Sequence, residues 1–247
     1  MTRLFLEDKD SQTGFITLNP EDSHYIAQVL RMRQGEQLTV VLNGRIEALC
    51  EVNELSKSEV KLKILKTGQN STEPLADITL YQSVSKGERM DLTIQKCVEL
   101  GVTRIVPVFS SRCVVRPDDP KKMKSKTERW QKISLEAARQ SGRGIIPEVC
   151  DPVSFEQAVA MSGSADISLF AWEGEKTVTL KQALESKLPE DVKEIAVLVG
   201  PEGGYDESEA DEATRNGALA VTIGKRILRT ETAGAAVLAM LLYHYEL

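Results

Sequence analysis

The sequence predicts an α/β protein in two parts: a small β-rich unit at the N-terminus, then a larger unit built on a mostly parallel sheet covered by helices. Three observations carry this prediction. Short apolar runs alternating with polar residues fill positions 37–66. Residues 67–74, TGQNSTEP, are polar with Gly and Pro and make the natural linker. Beyond Pro74, apolar runs of strand length alternate with amphipathic stretches of helix length, the rhythm of parallel strands joined by crossover helices.

In the first part, EDSHYIAQVLRMR (21–33) sets Tyr25, Ile26, Val29, Leu30 and Met32 at helical spacing and predicts one short helix. QLTVVLN, RIEALCEV and SEVKLKILK predict three strands, the first two joined at Asn43-Gly44, a pair suited to a hairpin turn. In the second part, DITLYQSV predicts a strand. GERMDLTIQKCVEL predicts a helix with Met90, Ile94, Cys97 and Val98 on one face and Gly101 as its stop, and RIVPVFS a strand. Residues 124–140 predict a helix ending at Gly142, and the apolar runs 167–171 and 195–199 predict strands with a helix at about 178–188 between them. Asp206, with Glu209 three residues on, reads as an N-cap and capping box that starts a helix at about Glu207. ALAVTI then predicts a strand, GKRILRT a turn, and TAGAAVLAMLLYHY a terminal helix that Thr230 is expected to cap. Ala233 to Ala236 would let another backbone pack closely, and Val237, Leu238, Leu241 and Leu242 suit a core or a subunit interface.

Composition narrows the chemistry. None of the apolar runs in the 247 residues approaches a membrane span, and the opening MTRLFLEDKD lacks a secretory h-region, so a cytoplasmic protein with no membrane partner is expected. Cys50, Cys97, Cys113 and Cys150 are widely scattered and suggest neither a disulfide framework nor a zinc cage. With only His24 and His244, a histidine triad or multi-histidine site is disfavoured, and no metal is expected. The net charge of −6 hides an asymmetry: residues 112–146 carry ten Lys/Arg against four acids, while 151–216 carry fifteen acids against five bases. A basic segment inside an acidic protein fits a nucleic-acid contact, and it equally fits a solvated lysine-rich helix.

The stretch LVGPEGGYDESEADEA (198–213) is the richest in the chain. A glycine-rich strand-to-helix turn is a common phosphate cradle, but this one lacks Gly-x-Gly-x-x-Gly and Gly-Lys-Ser/Thr, and its six acids would repel a polyanion. A neutral or cationic ligand fits it better, and a plain turn is the alternative. This loop and GKRILRTE both follow predicted strands, so both lie beyond the carboxyl edge of the sheet, where ligands of such sheets bind.

The combination of LVGPEGG with IGKRILRTETAGAAVLAML closely resembles the bacterial 16S ribosomal RNA uracil-N3-methyltransferases, a branch of the SPOUT superfamily of trefoil-knotted, S-adenosylmethionine-dependent RNA methyltransferases. LRMRQGE, SKGERMDLTIQKCVELGV, VPVFSSRC and WQKISLEAARQSGR extend the likeness along the whole chain. The resemblance implies a PUA-like β-barrel over residues 1 to about 70, a mostly parallel α/β trefoil-knot (SPOUT) domain over 75–247, and a homodimer acting on one uridine of 16S ribosomal RNA within the small subunit. It also implies that the loops after Val199 and Ile223 form the S-adenosylmethionine pocket, with Gly200, Pro201, Glu202, Gly203 and Gly204 from the first and Ile223, Gly224, Leu228 and Arg229 from the second. Trp172 is a further candidate, against the adenine. A Rossmann-type methyltransferase is disfavoured, because its glycine loop follows the first strand.

Uracil N3 carries a proton that must leave before it attacks a methyl group, so a base or a cation that stabilises the uracil anion is needed. Arg229 and Glu231 are the candidates, Arg229 to orient or stabilise the uracil and Glu231 to assist proton removal or lock the loop. In the alternative, Glu231 only stabilises its helix start and Arg229 pairs with an acid such as Glu202. Arg31, Arg33, Lys86, Arg89, Arg112, Arg116, Gln140 and Arg143 are the candidates for RNA contact. A SPOUT methyltransferase acting on a ribose 2′-hydroxyl or another RNA, and a non-catalytic RNA-binding assembly factor, are the competing readings.

Overall fold

The structure, a computed structural model, describes residues 2–6, 14–56, 59–115, 120–186 and 192–246. The chain divides into two compact units, Met1–Glu73 with Arg139–Ile146, and Pro74–Ala138 with Pro147–Leu247.

The first unit is a five-stranded sheet of β1 (Arg3–Leu6), β2 (Phe15–Thr17), β3 (Gln37–Leu42), β4 (Ile46–Leu55) and β5 (Val60–Gln69), in the order β1-β3-β4-β5-β2. β1 pairs parallel with β3 and the other pairs are antiparallel. The period-two pattern of β3 to β5 turns Leu38, Val40, Cys50, Val52 and Leu62 inward, where they join Leu4 and Ile26 in one buried cluster. Asn43 (φ 51°) and Gly44 (φ 69°) both take the left-handed conformation in the turn that joins Leu42 to its partner Ile46, closed by the Arg45 N–H on the Leu42 carbonyl at 3.1 Å. The helix expected over 21–33 is shorter and irregular. A turn capped by the Asn19 side chain, α1 (Pro20–His24), passes into a π-helical turn over Tyr25–Val29 and stops before Arg31, whose φ is 52°. β5 runs to Gln69, so the first three residues of the polar stretch, Thr67–Gln69, are strand and the rest follows it.

The second unit is a parallel sheet flanked by helices. Its strands are β6 (Asp77–Ser83), β7 (Arg104–Phe109), β8 (Glu148–Val149), β9 (Val153–Ser154), β10 (Ile167–Ala171), β11 (Glu194–Val199) and β12 (Leu219–Val221). Their order is β12-β10-β11-β6-β7-β8, with β9 also beside β7, and every pairing is parallel. The helices are α2 (Arg89–Glu99), α3 (Pro120–Ser141), α4 (Phe155–Ser162), α5 (Leu180–Ser186), α6 (Glu207–Arg215) and α7 (Thr230–Tyr245). Gly101 (φ 89°) and Gly142 (φ 76°) end α2 and α3 as the sequence predicts. α3 starts four residues earlier than expected, at Pro120, a residue that a first helical turn tolerates. One face of the sheet buries Tyr81, Val106, Phe170 and Leu198 with Phe155 and Tyr205. On the other, α7 comes close enough that a Cβ at Gly234 would lie 3.4 Å from both Cys97 Sγ and Leu80 Cδ2. The sequence reading omits β1, β2, β8, β9 and α4, although Ser154 and Gln157 form a complete capping box at the start of α4.

Candidate cofactor pocket

Because all strands of the second sheet run one way, their carboxyl ends share an edge: Ala171 pairs with Val199 and with Val221, and Val199 with Gln82. The loops leaving β10, β11 and β12 there enclose a cavity of about 790 Å³, within the size range of small-molecule sites. Trp172, Gly200, Pro201, Glu202, Gly204, Ile223, Gly224, Leu228, Arg229 and Glu231, all expected from the sequence, line it. Gly203 does not, and its carbonyl instead accepts a 2.8 Å hydrogen bond from Arg112 Nη1. The Trp172 indole covers Gly174 so closely that a Cβ there would fall 2.4 Å from Cζ2.

The loop 200–205 is held rigid from behind. Gly204 turns at φ 65° and its N–H donates to the Pro201 carbonyl at 2.9 Å. Tyr205 is buried and stacks on Phe170 at 4.5 Å between centroids, its hydroxyl 3.4 Å from Ser83 Oγ, and burial pushes its phenol far above the usual range. Asp206 and Glu209 form the predicted capping box. Ser111 ties β7 to it: its N–H donates to Glu209 at 2.7 Å and its hydroxyl to Asp206 at 2.9 Å. The N–H of Glu209, with the hydroxyls of Ser208 and Ser111, holds the Asp206 carboxyl down at about 2.

These contacts change the meaning of the acidic run. Glu202 accepts from the Lys86 N–H at 2.9 Å and from Arg89 Nη1 at 2.6 Å. Burial raises its pKa, but those bonds and the Arg89 charge outweigh it and leave the carboxyl below its ordinary value. Glu202, Asp206 and Glu209 are therefore engaged in holding the loop.

The second loop is tied to the first by Thr230. Its hydroxyl donates to the Gly200 carbonyl at 2.6 Å and accepts from Gln82 Nε2 at 2.9 Å, with Gln82 fully buried. Thr230 was expected as the cap of α7. The N-cap is instead Arg229, whose side chain makes no capping bond, because the Thr230 hydroxyl is turned onto Gly200. Glu231 lies one residue on, its side chain 11% exposed; Oε2 is buried without a hydrogen-bond partner and stands 3.8 Å from Arg89 Nε. The pairing suggested for Arg229 with Glu202 is made by Arg89 instead.

The residues expected at RNA divide sharply. Arg143 is 2% exposed and grips Glu73 through Nε and Nη2, the shortest contact 2.6 Å, so its guanidinium is a structural cation and is not presented to a phosphate. This corrects its assignment; the sequence has no signal that separates a buried arginine from an exposed one. Arg89 and Arg112 are exposed yet brace the glycine loop. Lys86, Arg31, Arg33 and Gln140 are exposed, and Arg116 lies outside the described residues. Among the described residues, no group of three or more His, Cys, Asp or Glu could hold a metal, and no helix is long and apolar enough to cross a membrane.

Two family models match this chain: an RNA methyltransferase PUA domain over residues 18–65 and an RNA methyltransferase domain over 71–242. The ribosomal RNA small subunit methyltransferase E of Bacillus subtilis is 33% identical, the match covering 100% of this chain and 98% of the relative. The same-named protein of Neisseria gonorrhoeae, solved bound to S-adenosyl methionine, superposes with a TM-score of 0.84 at 34% identity, over 98% of this chain and 97% of that one. A methyltransferase of Legionella pneumophila, solved with the cofactor SAM, gives 0.83 at 33% identity, over 98% and 97%. The α/β fold with a PUA-like N-terminal domain is thus the one the resemblance implies.

Proposed function

The chain belongs to the ribosomal RNA small subunit methyltransferase E family, and we propose that it transfers the methyl group of S-adenosylmethionine to N3 of one uridine in 16S ribosomal RNA. The observation that carries this reading is the cavity itself, enclosed by three loops at the carboxyl edge of a parallel sheet with Arg229 and Glu231 in its wall.

The residues present fit that cofactor. The apolar surfaces of Trp172, Ile223 and Leu228 suit the adenine and thioether carbons, and the glycine loop offers backbone groups rather than a phosphate cradle. When bound, the cofactor supplies an electrophilic methyl on a sulfonium that leaves as a neutral thioether. Glu231 holds a carboxylate oxygen with no hydrogen-bond partner in the wall of the cavity, placed to take the N3 proton of uracil. Arg229, exposed in the same wall, stabilises the negative charge that the uracil ring carries as that proton leaves. Arg89, paired with Glu202 and 3.8 Å from Glu231, keeps the acid and the glycine loop in register.

The same reading includes a homodimer in the cytoplasm, a trefoil knot in the second unit, and the assembled small subunit as substrate. Tyr243 and Met240, 74% and 40% exposed on α7, give the dimer apolar surface to bury. A protein that stays monomeric at micromolar concentration would remove the dimer. The enzymatic proposal is tested by methyl transfer from labelled S-adenosylmethionine to small subunits that lack the modification. Wild type should incorporate label. Glu231→Gln should lose about 10²- to 10⁴-fold in kcat with cofactor affinity within about twofold. An Arg229→Ala protein with normal turnover and normal affinity would end the catalytic role of that residue.

A further inference from the structure

Lys225, Arg226 and Ile227 line the cavity at its outer lip and are also exposed there. Ile227 is 82% exposed, the most exposed of the large hydrophobic residues described. Lys225 and Arg226 precede it and Arg229 follows two residues on, all four exposed in the loop that Gly224 opens at φ 140°. Among the described residues, none of these three cations makes an ion pair or a side-chain hydrogen bond. They contrast with Arg89 on Glu202, Arg112 on the Gly203 carbonyl and Arg143 on Glu73. Lys225, Arg226 and Arg229 are thus free to meet a polyanion at the mouth of the cavity, and they surround an apolar tip.

Charge and shape together select the partner. Unpaired cations exchange their counterions for phosphates, and an aliphatic side chain in water gains by packing on a base face or into a gap between bases. N3 lies on the Watson–Crick edge, so a uridine methylated there must be unpaired and drawn out of its stack to reach the cavity. We propose that residues 225–227 form an RNA-contacting tip, with Lys225 and Arg226 on phosphates flanking the target uridine and Ile227 against a neighbouring base, holding the target out of the stack. This rests on the reading of the cavity as the cofactor site of an RNA methyltransferase.

The test uses the full-length protein and unmodified small subunits, with binding measured across a range of KCl concentrations and S-adenosylmethionine affinity measured alongside. If the wild type neither binds subunits nor transfers methyl, the functional reading fails before the tip is in question. With an active wild type, the Lys225→Ala/Arg226→Ala double variant should lower the slope of log K against log salt by about 1.5. Ile227→Ala should leave that slope intact but reduce kcat/KM for subunits about tenfold, and both variants should bind S-adenosylmethionine within about twofold of wild type. An unchanged slope in the double variant overturns the phosphate contacts. Cofactor affinity falling in parallel with activity overturns the tip in favour of a purely cofactor role. An Ile227→Asp protein whose sedimentation shows a smaller oligomer than wild type overturns it in favour of a subunit contact.

Discussion

Thr230 shows how much one hydroxyl can organise. It links Gly200, in the loop after β11, to Gln82 of β6 from the first turn of α7, through two hydrogen bonds beside the core. Thr230→Val keeps the shape but strands the Gly200 carbonyl and leaves the Gln82 amide its 3.2 Å bond to the Ser83 carbonyl, a loss of roughly 1–3 kcal/mol. The melting temperature should fall, cofactor affinity should weaken about tenfold by calorimetry, and Thr230→Ser should restore most of both. Arg143 makes the opposite case. Arg143→Ala leaves Glu73 without its buried partner, so it should destabilise by about 3 kcal/mol in urea unfolding while leaving the salt slope of RNA binding unchanged. At this scale the sequence is least legible. The PEGG and LRTE residues are assigned to the pocket by the family resemblance, and nothing local distinguishes Glu202, hydrogen-bonded to Arg89, from Glu231, whose oxygen has no hydrogen-bond partner, because partners come from segments more than a hundred residues away.

At the scale of elements, the signals that act within a few residues read well. The Asp206/Glu209 box, the glycine stops of α2 and α3 and the Asn43-Gly44 hairpin all stand where their chemistry predicts, because a cap or a left-handed turn is satisfied locally. The two-residue strands β8 and β9 carry no periodicity to detect, and the helix of 21–33 breaks at a π-turn that its apolar spacing does not reveal. The α6 cap gives a prediction with a sign. Asp206 is held at about 2 in the folded protein against an ordinary 3.8, so the unfolded chain takes the proton first. Its contribution to stability is complete above about pH 4 and is lost as the pH falls from 3.8 towards 2. Asp206→Ala should cost about 1 kcal/mol at neutral pH. In denaturant titrations repeated at pH 7, 4 and 3, the gap between mutant and wild type should close as the pH drops; a gap that widened would contradict the cap. In the turn after β10, Gly174→Ala must displace the Trp172 indole, and should weaken cofactor binding with little change in the far-UV spectrum.

For the whole molecule, alternation of strands and helices is enough to predict a parallel sheet, and a parallel sheet is enough to place every βα loop on one edge. That is why the loops after β11 and β12 could be placed at one edge from the sequence pattern, while the residues within them came from the family resemblance. The return of Arg139–Ile146 to the first unit has no such signal, since it follows the end of a helix whose basic residues look uniform along its length. The central claim, that this edge positions a uracil N3 for methylation, is tested most directly by digesting RNA from treated small subunits to nucleosides and identifying the labelled product by mass spectrometry. A single labelled species, 3-methyluridine, is expected at about one per subunit, formed about 10²- to 10⁴-fold more slowly by Glu231→Gln. Label on a ribose 2′-hydroxyl or on another base would contradict it, as would cofactor binding with no transfer to RNA.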